Sequence, residues 1–264
     1  MRQPSWVPPM LATLVKKTFS SPDWIYEKKF DGVRCLVSRN GGEVTLYSRN
    51  HKKMNSAYPE IRDAFEKQRC KHFIADGEIV GMRGKKEGFN ILQARMNLQK
   101  EEEARGTGVE VAIYLFDLLF YEGKDLRHLP LIERKKILKK CFNFKKPIFY
   151  TNHIVKQGER YFKSACKKGW EGVIAKRAKS LYLGKRSTDW QKFKAVRSQE
   201  FVICGYTPPQ GSRIGFGAIL IGYYEKGKLH FAGKVGTGYT EKFLSDLHAK
   251  LKRIQTKKCP FHSP

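Results

Sequence analysis

The chain has 264 residues, of which 41% are hydrophobic, enough for one large domain or for a large domain with a small one. Its 52 Lys and Arg residues outnumber 25 Asp and Glu residues, and the resulting net charge of +27 favours a polyanion, above all nucleic acid, as partner. The six cysteines form no Cys-x-x-Cys pair and no apolar run approaches the roughly 18 residues of a membrane span, so we expect a cytoplasmic protein without a zinc site, disulfide framework or membrane anchor.

Turn signals and apolar patterns divide the first two thirds of the chain into short elements. In chain order we predict strands at 24–30, 33–38 and 44–47, a helix at 59–69, a strand at 73–80, a helix at 90–105, a strand at 109–120, helices at 131–141 and 156–168, and strands at 172–176 and 190–194. The helix at 131–141 is amphipathic, and we expect its Lys and Arg side chains on the outer face. Interleaved strands and helices with hairpin signals indicate an α+β fold with antiparallel sheets and flanking helices.

The sequence changes character at residues 196–200, so we predict two domains, 1–197 and 198–264. The second domain begins with predicted strands at 201–206, 216–224 and 228–235, followed by a helix at 240–253. An OB-fold has five strands with a helix between the third and the fourth. Because only residues 254–264 follow the helix, we expect an incomplete OB-fold barrel that lacks its last strands.

The run Lys29-Phe30-Asp31-Gly32-Val33-Arg34 holds an amine nucleophile, a turn glycine and a guanidinium close together. It resembles the active-site motif of covalent nucleotidyltransferases, which include ATP-dependent DNA ligases, RNA ligases and capping enzymes. Five further segments follow in the order that DNA ligases use, at 48–50, 76–78, 115–119, 171–176 and 190–194. Residues 9–14 and 215–238 extend the resemblance, which is greatest to the ligase domain of bacterial end-joining ligases.

The resemblance implies that one group of residues binds and activates ATP. Lys29 attacks the α-phosphate, and positive charge at Lys28 and Lys194 favours the neutral, nucleophilic amine. Glu27 shares a strand face with Lys29 and accepts a hydrogen bond from the adenine amino group, whereas Phe116 stacks on adenine. The pattern alone also allows Glu27 in a surface ion pair and favours Phe116 as a core residue.

A second group of residues is implied to handle phosphate, ribose and metal. Arg34 contacts the ribose and the DNA end, and Arg49 holds a phosphate. Glu78 binds the ribose hydroxyl or the divalent metal, Mg²⁺ or Mn²⁺, and Glu171 completes the metal site. Lys192 and Lys194 project from one strand face and act with Lys29 on the α-phosphate, since an anion between two amines offsets their repulsion.

The function implied by the resemblance is ATP-dependent sealing of 5′-phosphate/3′-hydroxyl breaks in duplex DNA through a covalent lysyl-AMP intermediate, in repair or recombination. The expected partners are nicked or broken duplex DNA and an end-joining polymerase or an end-binding protein. We expect a monomer in the bacterial cytoplasm, at the nucleoid.

Two alternatives stay open. The first is an RNA ligase or capping-type nucleotidyltransferase, which shares the lysine motif. The second is a catalytically impaired nick-binding remnant, because in the family the last barrel strands carry a basic motif that serves self-adenylation, and residues 259–264 stand where those strands should begin. The chain is then a fragment or frameshifted copy, or a partner supplies the strands, and we expect weak or absent self-adenylation with DNA binding retained.

Overall fold

The fold is that of a computed structural model, which describes residues 3–84, 86–195, 200–256 and 258–261. The chain forms two compact units, Met1–Val196 and Arg197–Pro264. The predicted change of character falls largely on residues 196–199, which lie outside the described residues, so the domain boundary stays a prediction. In the described ranges, no helix combines the length and the apolar character that crossing a membrane requires.

The described residues form short strands and a few helices. The strands are β1 (Leu11–Leu14), β2 (Trp24–Lys29), β3 (Val33–Asn40), β4 (Glu43–Ser48), β5 (His72–Arg83), β6 (Lys86–Gly88), β7 (Glu110–Tyr121), β8 (Lys124–Asp125), β9 (Ile148–Tyr150), β10 (His153–Val155), β11 (Gly172–Arg177), β12 (Arg186–Lys194), β13 (Val202–Tyr206), β14 (Ile219–Glu225) and β15 (Lys228–Val235). The helices are α1 (Pro59–Glu66), α2 (Phe89–Leu92), α3 (Glu101–Gly106), α4 (Leu131–Cys141), α5 (Gly158–Lys167) and α6 (Glu241–Arg253). The predicted elements occur with ends shifted by a few residues, apart from the helix at 90–105, and the short strands β1, β6, β8, β9 and β10 were not predicted.

Two sheets form the first unit. Sheet A has the strand order β1-β12-β11-β2-β10. Sheet B has the order β4-β3-β5-β7-β8, with β6 beside β5 and β9 beside β7. Among the described strands, β1 with β12 and β7 with β9 are parallel pairs, and the others are antiparallel. The predicted α+β class with largely antiparallel sheets is therefore confirmed.

The core of the first unit lies in three layers of apolar side chains. Residues of both sheets, among them Ile25, Leu36 and Trp190, pack in one buried cluster between the sheets. Helix α5 covers the other face of sheet A, and α1 and α4 contribute to a second large cluster on sheet B. The two sheets are thus held face to face by burial of apolar surface, the main stabilising contribution to such layered domains.

The second unit contains a three-stranded antiparallel sheet, β13-β14-β15, and helix α6. Phe216, Ile219 and Leu244 form its small buried cluster. The helix begins after Thr240, whose hydroxyl accepts a hydrogen bond from the backbone N–H of Phe243 at 3.2 Å, a standard N-cap.

The predicted helix at 90–105 is wrong. The segment contains the single turn of α2, a 3₁₀ turn at Gln93–Arg95 and then α3. Arg95 is buried and donates to Glu60 and to backbone carbonyl groups, which pulls the segment inward, and Asn97 has a φ of 66°, outside the helical region. Helical propensity was overridden by a buried arginine whose partners lie elsewhere in the chain.

The cations of α4 also differ from the expectation. Arg134 and Lys135 are 0% and 1% exposed rather than on the outer face. They share the buried side of the helix with Leu131 and Leu138, at the i, i+3, i+4, i+7 spacing of an inward face. Their ion-pair partners explain this placement and belong to the functional site.

The motif at residues 29–34 is the crossing between the two sheets. Strand β2 belongs to sheet A and β3 to sheet B, so the two strands that flank Gly32 do not pair with each other. A Cβ atom at Gly32 would lie 2.1 Å from the backbone oxygen of Ile79 in β5. The crossing therefore requires a residue without a side chain at this position.

We predict that Gly32→Ala lowers the free energy of unfolding by on the order of 2–4 kcal/mol, because neither backbone can move away without disturbing a sheet. Urea unfolding followed by circular dichroism measures this loss. Gly42→Ala is the matched control, since a Cβ there meets nothing within 4 Å, and it should change stability by less than about 0.5 kcal/mol. Equal stability of the two variants would contradict the prediction.

Candidate active site

The inner face of sheet A presents three rows of functional side chains. Residues that pair directly across antiparallel strands share a face, and so do residues two apart on one strand. The rows are Lys29, Gly172 and Lys194; Glu27, Ile174 and Lys192; and Ile25, Lys176 and Trp190. The motif lysine and the basic residues of β12 therefore face the same side.

Sheet B presents one row opposite. Arg34 pairs with Glu78, Glu78 with Tyr114, and Tyr114 with Phe149 across neighbouring strands. Phe30, in the crossing, stacks on Tyr114 with ring centroids 4.1 Å apart. The residues at both ends of the motif are therefore held against the same row.

A cavity of about 240 Å³ lies between these faces. Its lining includes the predicted site residues Glu27, Lys29, Arg34, Arg49, Glu78, Phe116 and Lys192. It also includes Lys28, Phe30, Ile174, Lys176, Arg186 and Trp190, with Leu11 and Ala12 of β1. Glu171 and Lys194 do not line it, but Glu171 accepts a hydrogen bond from Lys29 at its edge, and Lys194 is exposed at the end of β12.

Glu27 lies deep in the cavity and is only 1% exposed. Its Oε1 accepts from Lys135 Nζ at 2.5 Å, and its Oε2 lies 2.6 Å from Lys176 Nζ. Burial alone would raise the pKa of Glu27, but the two ammonium groups outweigh it and hold the pKa below its ordinary value. The carboxylate is an anion bound by two buried cations, not half of a surface ion pair.

Lys176 links this ion cluster to the aromatic wall. Its Nζ lies 4.2 Å from the ring centre of Phe116 and 4.0 Å from that of Trp190. Burial, opposed by Glu27 and reinforced by Lys135, lowers the pKa of Lys176 to about 8. Phe116 is 8% exposed, so it belongs to the core and lines the cavity as well.

Arg34 is fixed by a bidentate ion pair with Asp76, at 2.5 and 2.6 Å. Tyr182 donates its hydroxyl proton to Asp76 Oδ2 at 2.6 Å, and the guanidinium lies 4.7 Å from the Phe116 ring centre. The arginine is therefore held rigidly in the cavity wall, a suitable arrangement for binding an oxygen-rich ligand.

Glu78 lines the cavity beside Lys29, and Glu171 lies at its edge. Lys29 donates to Glu171, whereas within the described residues the Glu78 carboxylate makes no hydrogen bond or ion pair. Burial raises the pKa of Glu78 to about 7, although Arg34 and Lys29 oppose the effect. A half-buried carboxylate that makes no ion pair is a good ligand for a cation that enters with the substrate.

The donor set fits a magnesium ion that is carried in part by a nucleotide. In the part of the chain that the structure describes, no group of three or more His, Cys, Asp or Glu side chains could hold a metal. Two carboxylates, Glu78 and Glu171, are what Mg²⁺ commonly takes from a protein when phosphate oxygens and water complete its shell.

The remaining basic residues surround the same space. Burial, together with the nearby cations Lys29, Arg186 and Lys194 and opposed by Glu171, lowers the pKa of Lys192. Arg49 is exposed in the turn after β4 and lines the cavity. The structure thus brings the predicted residues together, with Lys194 and Arg49 at the periphery.

The sequence patterns did not single out three important contributors. Lys176 and Trp190 stood inside predicted segments without a role, and their positions two residues from Ile174 and Lys192 could have revealed that they share the same face. Lys135 lies outside every motif, and its partner Glu27 is 108 residues away, so no local signal marks it.

Two face-to-face sheets, a strand-end lysine and a cavity lined by carboxylates, aromatic rings and cations define an α+β nucleotidyltransferase domain. Family comparison agrees: residues 9–194 match the ATP dependent DNA ligase domain, and residues 212–264 match the ATP dependent DNA ligase C terminal region. The chain belongs to the ATP-dependent DNA ligase family.

Several proteins similar to this chain are bacterial proteins named for non-homologous end joining. The multifunctional non-homologous end joining protein LigD of Pseudomonas aeruginosa is 36% identical over 262 residues, and the alignment covers 97% of this chain and 30% of that protein. LigD of Mycobacterium tuberculosis is 34% identical, with 97% and 33% covered. The chain thus spans about a third of the length of these curated relatives. A solved structure of mycobacterial DNA ligase D complexed with ATP and MES aligns with a TM-score of 0.62 and 31% identity, covering 98% of this chain and 81% of that one.

We predict that Glu78→Gln stabilises the metal-free protein, and increasingly so as pH rises from 5 to 8. The pKa of Glu78 in the folded chain, about 7, is above its ordinary value of 4.5, so the cost of ionising this half-buried carboxyl group is absent at low pH and complete above pH 7. The gain should reach about 1–3 kcal/mol at pH 8. Urea unfolding with a chelator present measures it.

Glu102→Gln is the control, since Glu102 is exposed on α3 and its replacement should give a small difference at every pH. If the stability difference between Glu78→Gln and the unmodified chain does not change with pH, then burial does not raise the cost of ionising Glu78, and the prediction is wrong.

Proposed function

We propose that the chain is an ATP-dependent DNA ligase that joins 5′-phosphate and 3′-hydroxyl termini in duplex DNA through a lysyl-AMP intermediate. The observation that carries the proposal is Lys29, at the end of β2, facing a cavity with an aromatic wall, a buried acceptor and several cations. Family membership supports both the nucleotide and the DNA substrate. The names of the bacterial relatives support repair by end joining.

In the first step, Lys29 Nζ attacks the α-phosphorus of ATP, an N–P bond forms, and the bond to the pyrophosphate oxygen breaks. Glu171, which already accepts a hydrogen bond from Nζ, takes the proton that the amine must lose. Arg34, Lys192 and Lys194 balance charge on the phosphoryl oxygens, the main means by which proteins promote this reaction.

In the second step, an oxygen of the DNA 5′-phosphate attacks the adenylate and Lys29 leaves. In the third, the 3′-hydroxyl oxygen attacks the activated 5′-phosphorus, AMP leaves and the strand is joined. Glu78 and Glu171 would hold a Mg²⁺ or Mn²⁺ ion, which supplies charge neutralisation to the phosphates when bound.

The substrate context is also a proposal. The net charge of +27 suits binding along a phosphate backbone, and broken duplex DNA in the bacterial cytoplasm is the substrate we propose. An end-joining polymerase or an end-binding protein is the proposed partner, because the LigD relatives are named as multifunctional end-joining proteins. We propose that the chain acts as a monomer.

We predict that Lys29→Ala abolishes the covalent protein–AMP adduct, because it removes the amine that is proposed to form the N–P bond, whereas Lys192 in the same cavity is proposed to balance charge rather than to attack. Incubation with α-labelled ATP and Mg²⁺, followed by denaturing electrophoresis, measures the adduct. Lys16→Ala, which removes an exposed lysine of the same unit, should keep the labelling of the unmodified chain. Undiminished labelling of Lys29→Ala would overturn the assignment of the nucleophile.

The same assay distinguishes the alternative activities. Labelling by ATP rather than GTP, with sealing of nicked DNA rather than RNA, is the expected result for a DNA ligase. DNA binding with no adduct from the unmodified chain would instead identify a nick-binding protein.

We predict that binding to nicked duplex DNA weakens steeply with salt. If the basic surface covers about five to seven phosphates, the plot of log affinity against log salt concentration should have a slope of roughly −4 to −6. Fluorescence anisotropy of a labelled nicked duplex between 50 and 300 mM salt, a range over which the Debye length falls roughly 2.4-fold, measures it. A slope near −1 would contradict a backbone-binding surface.

A further inference from the structure

We propose that Lys135 is a positioning residue for nucleotide selection: it holds the Glu27 carboxylate as an oriented acceptor that favours a purine with a 6-amino group. The inference rests on the proposed ATP-dependent function. Lys135 lies on α4, outside the short motif segments that carry the ligase resemblance, and it does not line the cavity itself but contacts Glu27 and Phe116, which do.

The ammonium group of Lys135 uses all its protons in contacts within the protein. Nζ is bonded to Glu27 Oε1 at 2.5 Å, to the Thr151 backbone oxygen at 3.1 Å and to the Phe116 backbone oxygen at 3.4 Å. Three acceptors use all three protons of the ammonium group. Because the side chain is 1% exposed, it is a fixed internal cation that cannot reach a ligand itself.

The helix that carries Lys135 is itself anchored. The backbone N–H groups of Leu131 and Ile132 donate to the carbonyl oxygens of Ser180 and Ala178 at 2.9 and 3.0 Å. Arg134, the preceding residue, is bidentate to Asp117 at 2.7 and 2.8 Å. These anchors set the position of the Lys135 ammonium relative to sheet A.

The selectivity follows from the two oxygens of one carboxylate. Each oxygen has a second lone pair, so Glu27 can accept a hydrogen bond from a base while bound to its lysines. A 6-amino group can donate to it, whereas the 6-carbonyl oxygen of hypoxanthine or guanine presents another acceptor, so two acceptors face each other and no hydrogen bond forms between base and carboxylate.

Lys135 matters because Lys176 competes for the same carboxylate. Lys176 lines the cavity, and its ammonium group contacts Glu27 and the rings of Phe116 and Trp190. Without Lys135, Glu27 has a single cationic partner and is free to turn both oxygens towards it, which withdraws the acceptor from the base. Loss of Lys135 therefore reduces selectivity more than it reduces chemistry.

The test measures the binding of ATP and of ITP, whose base has a 6-carbonyl group, by calorimetry on the same preparation. The chain carries Lys29→Ala so that no adduct forms, and Lys135→Met, Lys135→Gln and the control Lys139→Gln are added one at a time. Lys139 is exposed one turn further along α4. The ratio of the two dissociation constants does not depend on the fraction of protein that is folded.

We expect Lys29→Ala and its Lys139→Gln derivative to prefer ATP equally. Lys135→Met should reduce the preference by about tenfold, the size of one charge-assisted hydrogen bond, and Lys135→Gln, which keeps one donor, should restore part of it. In chains that keep Lys29, Lys135→Gln should raise the KM for ATP in adduct formation and leave the maximal rate within about twofold.

The outcomes separate the two proposals. If the Lys29→Ala chain binds neither nucleotide, the proposed ATP-dependent function fails. If it prefers ATP and both Lys135 variants keep the same ratio, the positioning role of Lys135 is refuted, whatever the variants do to stability. If Lys135→Met yields no folded protein, the ratio from Lys135→Gln decides.

Discussion

The rest of the site depends on the burial of one carboxylate. Glu27 is almost fully enclosed between layers of apolar side chains, where an isolated anion would cost several kcal/mol. It is stable only because Lys135 and Lys176 reach it from α4 and β11. The cluster carries one more positive charge than negative, so the cavity is prepared for an anionic ligand before any ligand enters.

The same helix joins both sheets through adjacent cations. Lys135 is paired with Glu27 in sheet A, and Arg134 is paired with Asp117 in sheet B. Ion pairs of this kind, fully removed from water, contribute little net stability but penalise any arrangement that separates the partners. Their effect here is geometric: they fix the distance between the strand that carries Lys29 and the wall that carries Phe116.

Local patterns predicted the parts of the fold that local interactions determine. The bounds of α4, the strand character of β2 and the shared face of Glu27 and Lys29 follow from the spacing of residues. Lys136, Lys139 and Lys140 of α4 are exposed as predicted, but Arg134 and Lys135 were wrongly assigned to the outer face, because hydrophobicity alone counts them as surface residues. Their partners lie 17 and 108 residues away, so only the tertiary structure shows that a cation is the right residue for the inner face. The predicted helix at 90–105 is wrong for the same reason, because the partners of the buried Arg95 lie elsewhere in the chain.

The spacing of the opening motif has a geometric cause as well as a chemical one. Lys29 ends a strand of sheet A, Arg34 lies at the start of a strand of sheet B, and Gly32 passes against the backbone of β5 between them. A chain that crosses directly between two facing sheets places the residues before and after the crossing on opposite walls of the intervening space. The nucleophile and the guanidinium are therefore close in sequence because they face each other across the cavity, and a longer crossing would separate them. It follows that Gly32 contributes to the chemistry without touching a ligand, by keeping the crossing short.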